Sequence, residues 1–257
     1  MALSATHHFI VRDLFKRGLL PKNGALLEIG EANWYHNIDP LVLATDIEEF
    51  VSDPLRRAAL TERLGRILGE QPPNFSFDLV KIFYEIYFAP CETQAIDFDG
   101  TPHAQRLDLN EPIVLNRRFE VVINHGTSEH IFDIAQVFRT IHDLTVPRGL
   151  MIHESPLTGW IDHGFYNLQP TLFFDLAAAN QYSLIMFIEQ LADKSITPIN
   201  SREDVYELAR SKKIPDNAML FTVMKKNAEE SPFQVPIQGY YRGVLPPSGV
   251  AAWNDLR

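Results

Sequence analysis

Residues 119–160 read FEVVINHGTSEHIFDIAQVFRTIHDLTVPRGLMIHESPLTGW, with Phe119 first and Trp160 last. Phe119, Val121, Val122 and Ile123 form a short apolar run that predicts a buried strand ending in Asn124, His125 and Gly126. Ile131, Ile134, Ala135, Phe138 and Ile141 recur at helical spacing, with Thr127 or Ser128 as cap and Pro147 with Gly149 as stop. Leu150, Met151 and Ile152 predict a second strand ending in His153 and Glu154. A strand, a helix and a strand joined in this way make the two strands parallel. Both sets of polar residues then fall at strand C-terminal ends, the edge where open α/β sheets bind ligands.

Upstream, Ile10, Val11, Leu14 and Phe15 predict a helix over residues 5–17, and Ala25 to Ile29 predict a strand followed at once by Gly30. Three amphipathic helices follow. The first is opened by Asp39 and Pro40, the second by Asp53 and Pro54, and the third carries Leu79, Ile82, Phe83 and Ile86. One crossover helix would suffice, so residues 36–75 read as a helical insertion. Gln94 to Phe98 predict the next strand, with Asp97 at its end and Asp99 and Gly100 in a turn. Arg106 to Pro112 predict a short extended piece, residues 170–179 a helix, and 182–188 a strand. Ser201 with Asp204 predicts a capped helix, and 219–224 a last strand. Residues 230–257, rich in Pro and Gly, read as an extended arm on a single domain spanning 1–257.

Composition narrows the partners. The chain has 257 residues, 46% of them hydrophobic, and a formal net charge of −10. An acidic surface argues against a nucleic-acid backbone as partner and favours a small molecule or a protein. One cysteine, Cys91, excludes an internal disulfide and a multi-thiolate zinc site, which suits a reducing compartment. No leader and no membrane-crossing run is expected, which points to a cytoplasmic protein. The insertion reads as plain packing before a lid or a homodimer contact, and the arm either folds back across the site, with Gln238, Tyr240 and Tyr241 toward substrate, or serves as a subunit arm.

An acidic strand end with glycine at Glu28 and Gly30, an acid at Asp97, Asp-Leu-Asn at residues 108–110 and FEVVINHGTSEHI from Phe119 come in the order of a known family. This succession resembles the class I S-adenosylmethionine-dependent methyltransferases. The resemblance implies a Rossmann-like, doubly wound mixed seven-stranded sheet and S-adenosylmethionine as cofactor. It places Glu28 and Gly30 at the methionine moiety, Asp97 at the ribose with Asp99 as its alternate, and Asp108 with Leu109 at the adenine. Asn124, His125 and Gly126 would line the floor. Family members show two or three glycines after the first strand, whereas this chain has Gly30 alone and then Trp34 and Tyr35.

Chemistry is expected after the central unit, in HESPLTGWIDHGFYNLQPT, a run dense in polar and aromatic groups. His163 is the expected general base for O-methylation of a small-molecule acceptor, with His153, Tyr166 and Asn167 orienting that acceptor. His163 and Tyr166 tying down a long loop is the plainer alternative. His130 is expected at a helix start with a structural role, and His7 and His8 at the surface. His125, His130, His153 and His163 with Glu129 and Glu154 match no compact ligand spacing, so no metal is expected. A catalytically silent scaffold or binding subunit of the same fold is the competing function, motivated by the missing glycines. An enzyme of this architecture with another nucleotide cofactor is a further option.

Overall fold

The computed structural model describes residues 2–190 and 192–256. Among the described residues there are an eight-stranded sheet, a two-stranded sheet and eight α-helices. The chain divides into two compact units. One runs up to Asp108 and includes Phe119–His125; the other holds Leu109–Arg118 and the residues from Gly126 onward.

In the first unit, β1 (Ala2–Leu3) leads into α1 (Ala5–Lys16), whose start is capped by Ser4, its side chain accepting the His7 N–H at 3.2 Å. Strand β2 (Ala25–Ile29) is buried along its whole length, as its apolar run predicts. The chain beyond Gly30 then forms β3 (Asn33–Trp34), which pairs in parallel with β1. Three helices follow as expected: α2 (Val42–Phe50), α3 (Pro54–Glu70) and α4 (Phe75–Tyr87). Asp53 caps α3 by accepting the Leu55 and Arg56 N–H groups at 2.9 and 3.0 Å. Gln71 ends it in the left-handed region at φ 45°. Helix α4 buries Leu79, Ile82, Phe83, Tyr84, Ile86 and Tyr87, so its apolar face is wider than the four-residue stripe read from sequence.

Strands β4 (Glu92–Ile96), β5 (Ala104–Gln105) and β6 (Phe119–His125) complete this unit in the order β5-β4-β2-β6, all parallel. Strand β2 is the first of this sheet's strands in chain order, and its neighbours β4 and β6 lie on opposite sides of it. The order therefore reverses at β2, which makes the carboxyl ends of β2 and β6 a topological switch point. Two expectations shift. The extended piece foreseen at 106–112 is replaced by Ala104–Gln105, because the tight turn after Asp97 returns the chain to β4 sooner. His7 and His8 are buried in α1 and not at the surface; His8 pairs with buried Asp46 at 2.5 Å.

In the second unit, the helix foreseen from Thr127 is split. A 3₁₀ turn covers Ser128–His130, and α5 (Ile134–Leu144) starts later, capped by Asp133, whose side chain accepts the Gln136 N–H at 3.1 Å. Strand β7 (Thr145–Pro156) begins directly after α5 and runs through Pro147. Helix α6 (Pro170–Asn180), β8 (Ser183–Gln190), β9 (Ser195–Ile199), α7 (Arg202–Arg210), β10 (Ala218–Lys225) and α8 (Pro247–Asp255) follow. Ser201 and Asp204 form the expected capping box.

The strand order here is β7-β10-β8-β9, with β10 antiparallel to both of its neighbours. A last strand inserted antiparallel in this way, after a parallel set that reverses at its first strand, gives the Rossmann-like fold of the class I methyltransferase type. The sheet has eight strands and not seven. The added one, β9, carries Pro198 and pairs only with β8, a place where proline is tolerated. The segment 230–257 carries α8 and is not wholly extended: Tyr240 stacks on Trp253 with ring centroids 4.5 Å apart.

Candidate functional site

Two groups of polar residues stand out, one in each unit. In the first, Gly30 ends β2 at φ 79°, a conformation that favours glycine, and its N–H donates to the Ile96 carbonyl at 2.7 Å. The next N–H, of Glu31, donates to Asp97 Oδ2 at 2.7 Å, and the Asp99 N–H donates to Asp97 Oδ1 at 2.9 Å. The loop after β2 is thus laced to the end of β4. Glu31 stands where a glycine-rich loop would continue. Its carboxylate turns into the turn after β4, accepting the Thr101 N–H at 2.7 Å and the Thr101 hydroxyl at 3.1 Å.

Glu28, fully buried in β2, accepts from Lys81, from the Tyr84 hydroxyl at 2.9 Å and from the Ala32 N–H at 3.0 Å. Burial raises its pKa, and the Lys81 ammonium opposes that rise. Glu28 therefore props the loop from beneath. At the end of β6, Asn124 and His125 are buried, and His125 is covered by His7 of α1, ring centroids 3.7 Å apart. His125, one of the three residues expected to form a floor, is thus covered by this helix.

Asp97 itself is half-buried, Asp99 is exposed, and between them Phe98 is 76% exposed. A carboxylate has about four lone-pair sites. Two are taken by the Glu31 and Asp99 N–H groups, so Asp97 keeps acceptor capacity for a diol beside an open aromatic face. Asp108 is exposed, whereas Leu109 is buried.

The second group is built by the 3₁₀ turn and the loop that follows β7. Here the Glu129 carbonyl accepts the Phe165 N–H at 2.8 Å and the Tyr166 N–H at 3.3 Å. Loop 158–168 is fixed at its other foot by Asn217, which accepts the Trp160 N–H at 2.9 Å, and by the Trp160 indole, which donates to the Ala218 carbonyl at 3.2 Å. This clamping brings His163 beside His130, ring centroids 4.9 Å apart. Both imidazoles are about 40% exposed, and each presents Nε2 to Glu129 Oε1 at 4.0 Å. Glu129 is fully buried, and neither of its carboxylate oxygens has a hydrogen-bond partner among the described residues. Burial, aided by the charge of Glu154, pushes its pKa up to about 7. Burial also lowers the pKa of His130, as does the neighbouring His163. Gly126, at φ 65°, closes over the group: a Cβ there would meet Glu129 Oε1 at 3.2 Å.

The other expected residues divide. Tyr166 donates its hydroxyl to the Phe132 carbonyl at 2.8 Å, and Asn167 donates to the Gly159 carbonyl at 2.9 Å. Both fasten the loop that carries His163. His153 is not part of this cluster. It lies buried between Phe138 and Phe173, which drives its pKa down to about 3. Strand alternation explains the separation, since His153 and Glu154 face opposite sides of β7. Sequence reasoning passed over Glu31, Lys81, Tyr84 and Thr101, whose roles depend on contacts distant along the chain. Glu129 had one local signal, its place beside His130 at the end of a strand.

No family model matches the chain, and no curated protein matches it. Among solved structures it is similar to an S-adenosylmethionine-dependent methyltransferase from Mesorhizobium loti, at 12% identity and a TM-score of 0.46, over 86% of this chain and 98% of that one. It is also similar to the N-methyltransferase NodS from Bradyrhizobium japonicum in complex with S-adenosylhomocysteine, at 12% identity and a TM-score of 0.41, over 87% and 88% of the two chains. A putative S-adenosylmethionine-dependent methyltransferase from Listeria monocytogenes is similar at 9% identity and a TM-score of 0.45, over 87% and 100%.

Proposed function

We propose that this chain is an S-adenosylmethionine-dependent methyltransferase that methylates an oxygen of a small-molecule acceptor. The observation that carries the reading is the switch point at β2, with Gly30 at φ 79° on one strand end and Asp97 on the next. Asp97 would accept from the ribose hydroxyls, with Phe98 against the adenine and the Gly30 backbone near the methionine part. Bound there, the cofactor would supply an electrophilic methyl group, passing from its sulfonium sulfur to the acceptor oxygen with the neutral thioether as leaving group. The chain's own task is then alignment and removal of one proton. His163, half-exposed with Nε2 toward the Glu129 carboxylate, is suited to take the acceptor's proton on its other ring nitrogen, Nδ1. Glu129 stabilises the imidazolium that forms, and Tyr166 and Asn167 hold the loop in place. Phe165, Phe132 and Ile161, all exposed, offer apolar walls for the acceptor. The lone Cys91 accords with a cytoplasmic location, and the net charge of −10 accords with an acceptor that is not a nucleic acid.

Calorimetry with S-adenosylhomocysteine tests the reading. Saturable binding is expected, weakened at least about tenfold by Asp97→Ala, which corresponds to about 1.4 kcal/mol. Circular dichroism of the variant shows whether its fold is retained. Absence of heat at millimolar cofactor would remove the proposal. A second reading, a catalytically silent binding subunit, is favoured by one observation: Glu31, Ala32 and Trp34 fill the positions of the missing glycines, and all three are buried. The same titration separates the two.

A further inference from the structure

We infer that Glu129, His130 and His163 form a binding site for one divalent transition-metal ion of the zinc type. The three donor atoms lie within 4.8 Å of one another, and each imidazole Nε2 stands 4.0 Å from Glu129 Oε1. Ligand bonds of about 2.0–2.2 Å in a tetrahedral site place neighbouring donors roughly 3.4 Å apart. Side-chain torsions of two half-exposed histidines close a gap of that size without moving the backbone.

The buried carboxylate is the independent observation. A carboxylate out of water is costly unless it is paired, hydrogen-bonded or bound to a metal. Apart from its own backbone N–H, Glu129 has no hydrogen-bond donor and no Lys or Arg partner among the described residues, and both imidazoles face its carboxylate. Two neutral imidazoles and one carboxylate suit zinc, cobalt or nickel, whereas magnesium and calcium prefer an all-oxygen set. The scaffold is fixed before any ion arrives. The His130 N–H donates to the Thr127 carbonyl at 3.0 Å, and the Glu129 carbonyl clamps the His163 loop. Three protein ligands leave a fourth position on the exposed side, open to water; with the ion bound, His163 is a ligand, and the proton-accepting role proposed above belongs to the metal-free chain.

The ligands are far apart in sequence type, two adjacent residues on a turn and one on a loop, which is why their spacing resembles no ligand motif. Metal uptake is read without any cofactor or acceptor, so its failure and the failure of the methyltransferase reading are separate results.

The test is titration of the full chain, stripped with chelator, with Co²⁺ and with Zn²⁺. One Co²⁺ per chain is expected, with the intense visible absorption of tetrahedral cobalt, displaced by Zn²⁺. His163→Ala and His130→Ala should each weaken uptake by about a hundredfold or more. Glu129→Gln should do the same while leaving the fold at least as stable, because it removes an unpaired buried charge. No saturable uptake by the full chain, or uptake unchanged in the three variants, overturns the site.

Discussion

Gly164 lies so close to Glu129 that a Cβ added at position 164 would stand 3.0 Å from the Glu129 carbonyl oxygen and 3.2 Å from its Cγ. The same atom would meet His130 Nδ1 at 3.2 Å. Glycine here serves close approach, since it lets the His163 loop press onto the 3₁₀ turn. Gly164→Ala should therefore cost about 1–3 kcal/mol in urea unfolding, the usual range for an overpacked contact. It should also weaken cobalt uptake, because the loop must lift by a few tenths of an ångström. A variant as stable as the parent, with unchanged uptake, would show that the loop docks loosely.

Glu31 gives a second prediction. Its carboxylate is the acceptor for both the Thr101 N–H and the Thr101 hydroxyl. Glu31→Ala should destabilise the chain by about 2–3 kcal/mol, since hydrogen bonds to a charged group contribute about 1.5–3 kcal/mol. Weaker S-adenosylhomocysteine binding should accompany it, because the loop that carries Gly30 loses one of its ties to the turn after β4. Urea unfolding and calorimetry on one preparation measure both.

Stability should depend on pH through two adjacent residues of β7. His153 is held near pKa 3 by burial, below its ordinary 6.5, so its share of stability is present above pH 6.5 and is lost as pH falls toward 3. Glu154 is raised by burial to about 8, above its ordinary 4.5; its share is present below pH 4.5 and is lost as pH rises toward 8. Each limb has a slope of up to about 1.4 kcal/mol per pH unit, and the two oppose each other between pH 4.5 and 6.5. His153→Phe should flatten the acid limb, and Glu154→Gln combined with Glu129→Gln the alkaline one, since burial raises both carboxyls. Unfolding free energies from pH 4 to 8 that keep both limbs in the variants would reject this assignment.

Lys226 is buried, and its ammonium donates to the His142 and Thr145 carbonyls at 3.0 Å each. It caps the C-terminal end of α5, where a cation meets the negative end of the helix dipole. Lys226→Met keeps most of the apolar stem and removes those donors. A loss of about 1–3 kcal/mol is expected from two charge-assisted hydrogen bonds, although the His142 carbonyl keeps the Thr145 N–H. Denaturant unfolding of this variant beside Lys226→Arg isolates the contribution of the charge.

Much of the fold was legible because its signals are local. The apolar run of β2, the proline-opened helix α3 and the Ser201–Asp204 capping box each lie within one element, whereas α2 starts at Val42, two residues past the expected Pro40. The errors arose where distant contacts decide. Nothing near Thr127 shows that the first turn of the helix will tighten into a 3₁₀ segment and that Asp133 will cap the rest. Strand β3 exists because β1 pairs with it. At the candidate site, His163 was legible as a histidine in a polar loop. The loop-fastening bonds of Tyr166 and Asn167 and the burial of His153 required a register. Asp97 was placed by its position at a strand end, whereas Glu31, one residue past Gly30, was hidden because its partner Thr101 is 70 residues away.

The pairing of β2 with β6 has a consequence for how the chain reaches its native state. Glu120 accepts the Ala25 N–H across a separation of 95 residues, and Leu26 lies opposite Val121. Three helices and three strands are synthesised before that neighbour exists. Closure of so long a segment slows folding, since its entropy must be lost before the strand contacts compensate. Until β6 arrives, β2 presents a hydrophobic open edge, the kind of surface that recruits another chain. A fragment ending at Asp108 should accordingly be recovered in aggregates, and one ending just past His125 should gain solubility in proportion to how well that edge is covered.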